Sequence, residues 1–509
     1  MSRSLRQSLN LAHTWGGVLA GALIFFVFFT GSLVVFEQAV DRWMMPATRA
    51  DASTHDAGFE GAFQALKAKH ELGEGGVFIY PPSPRQPTYA AHFHDASGAD
   101  RNVFIKRNGS LLADSGSFGA SGFFFPLHYS LHLGAFGMAT LGYWIVGLAG
   151  MIVLAMVVSG VIVHRRLIRD FFSFRLERAR GRALLDLHNL TGVMSLPFLA
   201  AMAFSGVAIF VYVYMPVNIA ANYPDGETFF HDVLPHIDRE PAQQPAGRVN
   251  LDRIAASAER IWKGGEVMVL GVFHPGDANG YIAAYRDTPR EIAYDFEQLD
   301  FDAVTGELLH HQKIGPAAMA YQFLTGLHIA VVDSWAVRWL YFLMGVTGCA
   351  VIATGFLVWL DKRAAQTGRA GYRTAQGVMS AATLGLTLAT AAMLAANRLL
   401  PLPLAMRAEA EVVVFFGTWL GCLLHALLQP GRRSARRQLQ LLAGSCAALP
   451  ALNAVTTGDA LPMTLWQGPG AVAGVDLSLL VIAAASAWGA SLLRVAPAGE
   501  ARRYRAAAA

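Results

Sequence analysis

The chain has 509 residues and a formal net charge of +4, with 54% hydrophobic and 15% charged residues. Soluble globular proteins carry about 45–50% apolar and ~25% charged residues, so this composition excludes a mainly water-soluble enzyme. The positive charge is mostly arginine in short loops beside apolar blocks, which points to membrane orientation and not to nucleic-acid binding. We therefore predict a polytopic α-helical membrane protein surrounded by lipid.

Apolar blocks of about 20 residues predict about eight transmembrane helices, because that length crosses ~30 Å of hydrocarbon. The first block follows Arg3 and Arg6. It is too long for a signal peptide and has no convincing small-residue cleavage site, so we predict that it is an uncleaved first helix. The predicted spans cover residues 12–36, 139–163, 190–214, 336–360, 374–396, 409–428, 437–456 and 473–494.

Basic residues concentrate in every second connection between the spans. Residues 165–182 hold seven arginines, residues 362–373 hold one lysine and three arginines, and residues 432–437 hold four arginines. The connection 457–471 has neither lysine nor arginine. By the positive-inside rule, both termini are predicted to be cytoplasmic, and the two long polar segments, about 37–125 and 215–320, lie outside the cytoplasm.

The two polar segments contain the same order of predicted elements. Each begins with an amphipathic helix, at Phe59–Lys69 in the first and Leu251–Trp262 in the second. Alternating patterns then predict three strands in each, at Val77–Tyr80, Thr88–His94 and Arg101–Lys106, and at Val267–Phe273, Tyr281–Arg286 and Ala293–Phe301. A turn at 107–110 or 302–307 leads to a short apolar strand. We predict two small α+β modules.

The membrane helices repeat as well. His13 is followed 17 residues later by Thr30-Gly31, and His188 is followed 17 residues later by Ser205-Gly206. Leu131-His132 can be aligned with Leu327-His328, and each is followed by two glycines ten residues apart, which are Gly150 and Gly160, and Gly345 and Gly355. The first 365 residues are therefore predicted to be two copies of a helix, a module and a helix in the same orientation.

This duplication defines the predicted domain organisation. Residues 1–46 form the first transmembrane helix, 47–125 the first module, and 126–182 the second helix with an arginine-rich cytoplasmic loop. Residues 183–216 form the third helix, 217–320 the second module, 321–365 the fourth helix, and 366–509 a four-helix C-terminal extension.

Four histidines at repeated positions are the candidate cofactor ligands. Imidazole is costly in hydrocarbon unless paired, so intramembrane histidines are functional candidates. Around a pseudo-twofold axis, His13 would face His188 at the cytoplasmic end, and His132 would face His328 at the outer end. Facing imidazoles suit bis-histidine haem ligation, and the two pairs predict a relay of single electrons across the bilayer. For a single histidine the alternative is an interfacial anchor or an interhelical hydrogen bond.

Other candidates carry weaker predictions. His128 is a secondary candidate, as an alternative ligand or a partner of a haem propionate, and His164 is a second one, with a solvated or headgroup contact as its alternative. No role is assigned to His425, and the histidines of the modules are interpreted as surface residues. The sequence has no Cys-x-x-Cys-His motif, so a haem would lack thioether links, and it has no plausible nucleotide-binding fingerprint, which implies a separate electron donor.

Four sets of motifs occur in a fixed order: the helix starts at His13 and His188, the Thr30-Gly31 and Ser205-Gly206 dipeptides, the Leu-His132 and Leu-His328 motifs, and the Asp302-to-Glu307 turn. Together they resemble the PepSY-associated transmembrane-helix family. This family includes iron-regulated inner-membrane proteins and ferric-siderophore reductases of Gram-negative bacteria. The resemblance covers about residues 5–365 and implies haem b bound in the inner membrane and periplasmic PepSY modules that meet a ferric chelate. The C-terminal extension and the non-acidic turn of the first module depart from the family pattern.

The leading hypothesis is a di-haem ferric-siderophore or ferric-chelate reductase that releases Fe(II) at the periplasmic face, supplied by a quinol or a cytoplasmic reductase. Reduction loosens such complexes because hard oxygen donors hold Fe(III) more strongly than Fe(II). Two alternatives remain. One is a non-redox PepSY membrane protein that binds or regulates periplasmic peptides or proteases, and the other is a permease for the iron complex.

Overall fold

The computed structural model describes residues 4–49, 55–164, 180–233, 237–287, 291–294, 297–312, 315–330 and 332–493. The arginine-rich residues 165–179 and the C-terminal arginines beyond residue 493 lie outside the described residues. The chain divides into two compact units. The helical unit comprises Met1–Met44, Gly116–Ala200 and Phe342–Ala509, and the sheet unit comprises Met45–Ser115 and Ala201–Tyr341.

Helices dominate the described chain. In the first part they are α1 (Leu5–Leu19), α2 (Gly21–Val34), α3 (Glu37–Met44), α4 (Gly58–Lys69), α5 (Phe124–Ser130), α6 (Ala139–Val163), α7 (Arg180–Ile209), α8 (Val211–Tyr214), α9 (Pro216–Asn222) and α10 (Gly226–Val233). They continue with α11 (Leu251–Trp262), α12 (Pro316–Ile329), α13 (Trp335–Lys362), α14 (Ala370–Leu399), α15 (Arg407–Leu428), α16 (Arg432–Thr457), α17 (Leu461–Gln467) and α18 (Gly470–Leu492).

The prediction of about eight spans is confirmed in number and type. Among the described residues, seven helices are long and apolar enough to cross a membrane, namely α6, α7, α13, α14, α15, α16 and α18. The eighth candidate is the pair α1 and α2, which bends by 64° at its break. Glycine favours such a break, and a Cβ at Gly21 would lie 2.6 Å from Cε1 of Phe356. Close packing of α13 at this point therefore requires a residue without a side chain.

The C-terminal extension packs on the first copy through aromatic rings. Phe123, just before α5, meets Phe415 of α15 with ring centres 5.0 Å apart, and Phe26 of α2 stacks on Trp419 at 5.3 Å. A π-helical turn interrupts α14 and changes the pairing of its carbonyls. The indole Nε1 of Trp419 donates a hydrogen bond of 2.8 Å to the carbonyl of Ala381 in that turn. Trp419 thus connects two helices of the extension, α14 and α15, with α2 of the first span.

Buried polar groups also attach the extension. Arg407 and Glu411 form an ion pair of 2.8 Å, and both side chains are almost fully buried. Ser117 donates a 2.7 Å hydrogen bond to the other carboxylate oxygen of Glu411. Near α3, Nε1 of Trp43 donates to the buried carboxylate of Asp476 at 2.8 Å. Breaking a buried pair leaves a charge unpaired, so these contacts hold the extension in one position.

The sheet unit contains a single antiparallel sheet of seven strands. They are β1 (Leu72–Tyr80), β2 (Tyr89–Asp95), β3 (Asp100–Ile105), β4 (Glu266–Phe273), β5 (Tyr281–Asp287), β6 (Gln298–Asp302) and β7 (Leu308–His311), in the spatial order β3-β2-β1-β4-β5-β6-β7. Six of the eight predicted strands correspond to β1–β6, and the short strand predicted after the 302–307 turn corresponds to β7. The short strand predicted after the 107–110 turn is represented among the described residues by a bridge between Ile105 and Leu111. The two modules share their sheet because β1 pairs with β4, with Val77 opposite Val272 and Ile79 opposite Leu270.

The helices α4 and α11 share a buried apolar core with the sheet, which includes Phe63 and Ile254. Their N-termini cap each other. Asp252 in the first turn of α11 accepts a 2.7 Å hydrogen bond from the backbone N–H of Phe59, and Glu60 in the first turn of α4 accepts one of 3.0 Å from the N–H of Leu251. Carboxylates at helix N-termini satisfy unpaired amides, and the reciprocal arrangement joins the two modules in a pseudo-twofold manner.

Candidate functional site

His13 on α1 and His188 on α7 lie side by side in the helical unit, as the duplication predicts. Their ring centres are 6.4 Å apart, and the ring planes are inclined by 74°. Each ring is half-buried and lines the same cavity. The structure therefore brings together the two residues that the sequence placed at equivalent positions of the two copies.

The Nδ1 atoms of the two histidines are held by equivalent groups. Nδ1 of His13 lies 3.1 Å from the carbonyl oxygen of Met156 and 3.1 Å from Oγ of Ser159. Nδ1 of His188 lies 2.9 Å from the carbonyl of Val351 and 3.3 Å from Oγ1 of Thr354. A carbonyl only accepts, so Nδ1 carries the proton in both rings. Nε2 is then the unprotonated nitrogen, which is the tautomer that ligates a metal.

A glycine lies directly beside each ring. An added Cβ at Gly160 would be 3.3 Å from Cε1 of His13, and one at Gly355 would be 3.3 Å from Cε1 of His188. Each glycine follows the Ser159 or Thr354 hydroxyl that contacts the same imidazole. We call this local arrangement a histidine seat. It consists of a Ser/Thr-Gly dipeptide on one helix and a histidine from another helix packed against it.

The cavity beside this pair has a volume of about 550 Å³, within the ordinary range for cofactor sites. Its middle is apolar, with walls from α2, α6, α7 and α13 that include Ile24, Val153, Met156, Leu196 and Phe356. Charged side chains also line it, which are Arg6, Arg182, Lys362, Arg363 and Asp186. A flat apolar ligand with anionic groups matches this combination of an apolar interior and four cations against one carboxylate.

Two further histidine seats have the same design. Cε1 of His128 on α5 lies 2.7 Å from the position of a Cβ at Gly31, and Nδ1 lies 2.9 Å from the carbonyl of Val27. In the sheet unit, Cε1 of His328 on α12 lies 2.8 Å from a Cβ at Gly206, and Nδ1 lies 3.0 Å from Oγ of Ser205. Both dipeptides are those noted in the sequence, Thr30-Gly31 and Ser205-Gly206.

The alignment of His132 with His328 is therefore wrong, because His128 occupies the equivalent position. The glycine spacing favoured His132, since 22 residues separate His128 from Gly150 but only 17 separate His328 from Gly345. The extra residues form a turn after α5, in which Leu131 and His132 both have left-handed backbone conformations. His132 caps a short 3-10 helix there, and its ring contacts Phe123.

Of the other histidines, one lines the cavity and the others described here lie away from it. His164, the secondary candidate at the end of α6, lines the cavity of His13 and His188. His425 lies in the extension with Nδ1 3.2 Å from Oγ of Ser434, away from that cavity. In the sheet unit, His310 contacts Asp300 and His311 contacts Glu297. Among the described residues, no cluster of three or more His, Cys, Asp or Glu residues could hold a metal ion.

All four seats share one sequence signal, a Ser/Thr-Gly dipeptide. Thr30-Gly31 and Ser205-Gly206 enter the sequence prediction as dipeptides, whereas Gly160 and Gly355 enter it only through their spacing of ten residues from Gly150 and Gly345. The Ser and Thr hydroxyls at 159 and 354 also bond to carbonyls of their own helices, at 3.0 Å and 2.7 Å. Their hydrogens are thus used within the helix, and their oxygens accept from the imidazoles.

The residues around His13 and His188 fit a haem. Imidazole nitrogens bind metals at about 2 Å, so two rings on opposite sides of one ion have centres roughly 6 Å apart, close to the observed 6.4 Å. Protonated Nδ1 atoms fixed by carbonyls are the usual support for ligating histidines. The apolar walls and the cationic groups suit the ring and the propionates of such a cofactor.

Comparison with known proteins places the chain among membrane proteins of one family. An uncharacterized protein of Pseudomonas aeruginosa (strain PAO1), PA4219, is 29% identical over 377 residues, which cover 70% of this chain and 91% of the relative. The family described as PepSY-associated TM region matches residues 11–362, the part of the chain that carries both copies and all four histidine seats. The chain belongs to the PepSY-associated transmembrane family.

Proposed function

We propose that this protein is a haem b-containing oxidoreductase of the bacterial inner membrane that passes single electrons to a ferric chelate at the periplasmic face. The observation that carries the proposal is the pair His13 and His188. Their spacing of 6.4 Å and their supported Nδ1 atoms suit two ligands of one iron. His128 in the helical unit and His328 in the sheet unit, which have the same kind of seat, are each proposed as a ligand of haem other than the one held by His13 and His188.

The protein residues have separate tasks in this proposal. A bound haem would supply a one-electron carrier. His13 and His188 would hold it from two helices, and the carbonyls of Met156 and Val351 fix both imidazoles in the ligating tautomer. The apolar wall lowers the local polarity, which is one of the protein's means of tuning a haem potential.

Reduction of a ferric chelate needs no general acid or nucleophile. One electron converts Fe(III) to Fe(II), and hard oxygen ligands hold the product less strongly. The electron comes from a donor of a separate class, a quinol or a cytoplasmic reductase. The sheet unit, proposed to be periplasmic with both termini cytoplasmic, would bring the chelate to the membrane surface.

The proposal is tested with purified protein in sealed liposomes that contain dithionite. External ferric citrate and a ferric trihydroxamate serve as acceptors, and ferrozine outside the liposomes traps the Fe(II). We expect Fe(II) to appear only with the protein and to be lost in His188→Ala. The His425→Gln variant, which removes an imidazole from the extension, is the matched control and keeps the activity. Equal rates with His188→Ala and the unaltered protein would contradict the proposal.

A further inference from the structure

The cavity of His13 and His188 is lined by three buried polar atoms without hydrogen-bond partners among the described residues: Oδ2 of Asp186, whose Oδ1 lies 3.4 Å from Arg182, and two ring nitrogens. The first nitrogen is Nε1 of Trp359, whose side chain is buried at 8% exposure. The second is Nε2 of His164, which is also shielded from solvent. Leaving a buried polar group unsatisfied is costly, so such atoms in a cavity wall indicate a ligand that bonds to them. Neither group is used by the ligation of iron.

The two groups occupy equivalent positions in the two copies. His164 lies four residues after Gly160, against which His13 packs, and Trp359 lies four residues after Gly355, against which His188 packs. One helical turn therefore separates each group from its seat, in the direction of the C-terminus of α6 or α13. Both lie on the same side of the ligand pair along these helices.

Cations surround the same end of the cavity. The guanidinium of Arg363 lies over the indole ring of Trp359, 4.4 Å from its centre. Nε of Arg6 donates a 3.1 Å hydrogen bond to the carbonyl of Val163, the residue before His164. Lys362 and Arg182 also line the cavity, and Arg182 is 3.4 Å from Asp186, the one carboxylate residue among the described lining residues. Four cations against one anion favour a ligand with two negative groups at this end.

We propose that Trp359 and His164 bind the two propionate carboxylates of the haem held by His13 and His188. This inference rests on the proposed function and adds the residues that orient the macrocycle. The indole N–H of Trp359 would donate to one carboxylate, and the protonated Nε2 of His164 would donate to the other. Arg6, Lys362 and Arg363 supply the positive field around both.

The two donors differ chemically, so the two carboxylates of the haem would meet different groups. Indole is a donor only and keeps its proton, whereas imidazole can donate from both nitrogens only when it is cationic. Two copies of a helix pair thus present unlike groups to the two halves of a nearly symmetric ligand. Trp359 and His164 are positioning residues, because they contact the edge of the cofactor and not the iron.

The experiment compares haem b with its dimethyl ester, in which both carboxylates are uncharged, by optical titration of the apo-protein in detergent. We expect the unaltered protein to prefer the free acid. Trp359→Phe keeps an aromatic ring but removes the indole donor, and His164→Phe likewise keeps a ring but removes the imidazole donor. A hydrogen bond to a charged group is worth about tenfold or more in affinity, so each variant should lower this preference by about tenfold.

Matched controls separate donor loss from general damage. Trp466→Phe changes an exposed tryptophan of the helical unit, at 88% exposure, and His425→Gln changes a histidine outside the cavity. Both controls should keep the preference for the free acid. Unchanged preference in both Trp359→Phe and His164→Phe, with haem still bound, overturns this inference alone. Absence of binding of either compound to the unaltered protein overturns the proposed function and this inference with it.

Discussion

The two pairs of histidine seats differ in where the histidine lies on its helix. His13 and His188 lie well inside α1 and α7, each contacts a carbonyl and a hydroxyl, and both seat glycines lie at the same distance from their rings. His128 and His328 lie in the last turn of α5 and α12, where His128 contacts the carbonyl of Val27 and His328 contacts the hydroxyl of Ser205. The second pair therefore lies at helix ends next to loops, whereas the first pair lies within helices.

Packing is also tighter at the second pair. A Cβ on the seat glycine would lie 2.7 Å or 2.8 Å from the ring there, against 3.3 Å at the first pair. Real Cβ contacts are not found below 3.0 Å, so the second seats tolerate no side chain without movement. The difference predicts which substitutions each pair accepts.

The largest expected difference in bound haem is between the His128→Ala and His132→Ala variants. If His128 is the true counterpart of His328, His128→Ala should lose about half of the bound haem, because removing one axial ligand opens the coordination of one of two haems. His132→Ala should keep its haem content, since His132 lies in the turn after α5, outside the four seats. Haem per protein is measured from the pyridine haemochrome spectrum. The opposite pattern would restore the alignment of His132 with His328.

The loss of stability caused by alanine at each seat glycine should follow the distance from that glycine to the imidazole ring. Gly31→Ala and Gly206→Ala force a Cβ against an imidazole, and overpacking of this kind costs about 1–3 kcal/mol. Gly160→Ala and Gly355→Ala, with 3.3 Å available, need a shift of only a few tenths of an ångström. Thermal unfolding of the detergent-solubilised protein compares the four variants. Equal losses in all four would show that the distance to the ring does not decide the effect.

The two modules of the sheet unit can be compared in the same way at their turns. Burial alone would raise the pKa of Asp302. The N–H groups of Thr305 and Val304 and the Arg239 guanidinium together lower it by more than burial raises it, so the net pKa is below its ordinary value. A depressed pKa stabilises the fold above the ordinary value of about 4, and that contribution is lost as the pH falls through the folded pKa. In the first module, Asn108 accepts from Ser110 without titrating.

We therefore expect Asp302→Asn to weaken the turn at neutral pH and to reduce its acid sensitivity. Asn108→Ala should weaken the first turn equally at all pH values, because no ionisable group is removed. Hydrogen exchange in the full-length protein, followed in peptides that cover β6–β7 and β3, reports the stability of each turn as a function of pH. An acid sensitivity of the β6–β7 turn that is unchanged in Asp302→Asn would show that another group carries it.

The smallest expected effect concerns the hydroxyls of the first pair. Ser159→Ala and Thr354→Ala remove one of two Nδ1 acceptors but leave the carbonyl, so each should weaken haem binding by about 1 kcal/mol or less. Similar values for both would support the equivalence of the two seats. Thr347→Ala changes a threonine on the same helix as Thr354 that does not line the cavity, so it is the control and should leave binding unchanged. A large loss of haem affinity in only one of the two variants would show that the two seats are not equivalent.

Much of the architecture was predictable because it depends on periodicity and length. Hydrophobic blocks located the spans, and the amphipathic helices Phe59–Lys69 and Leu251–Trp262 lie where α4 and α11 are found. The pairing of β1 with β4 was not predictable, because either strand could have remained at an edge. The bend between α1 and α2 also depends on the packing of Phe356, which no local pattern reports.

The candidate site was predictable to the extent that it repeats. His13 and His188 were identified because two helices share one spacing, and the structure places their rings together. His128 was given only a secondary role because a short insertion after it shifts the spacing to the following glycines. The propionate-binding role of Trp359 could not be argued from sequence, since it depends on an indole N–H facing a cavity.

The central claim is that His13 and His188 ligate one haem, and the most direct test is the reduced-minus-oxidised optical spectrum of the purified protein. We predict a low-spin b-type spectrum in the unaltered protein. His13→Ala, His188→Ala and the double variant should all lose the same component, with no further loss in the double variant. A colourless protein after expression with added haem, or separate and additive losses in the two single variants, would contradict the account.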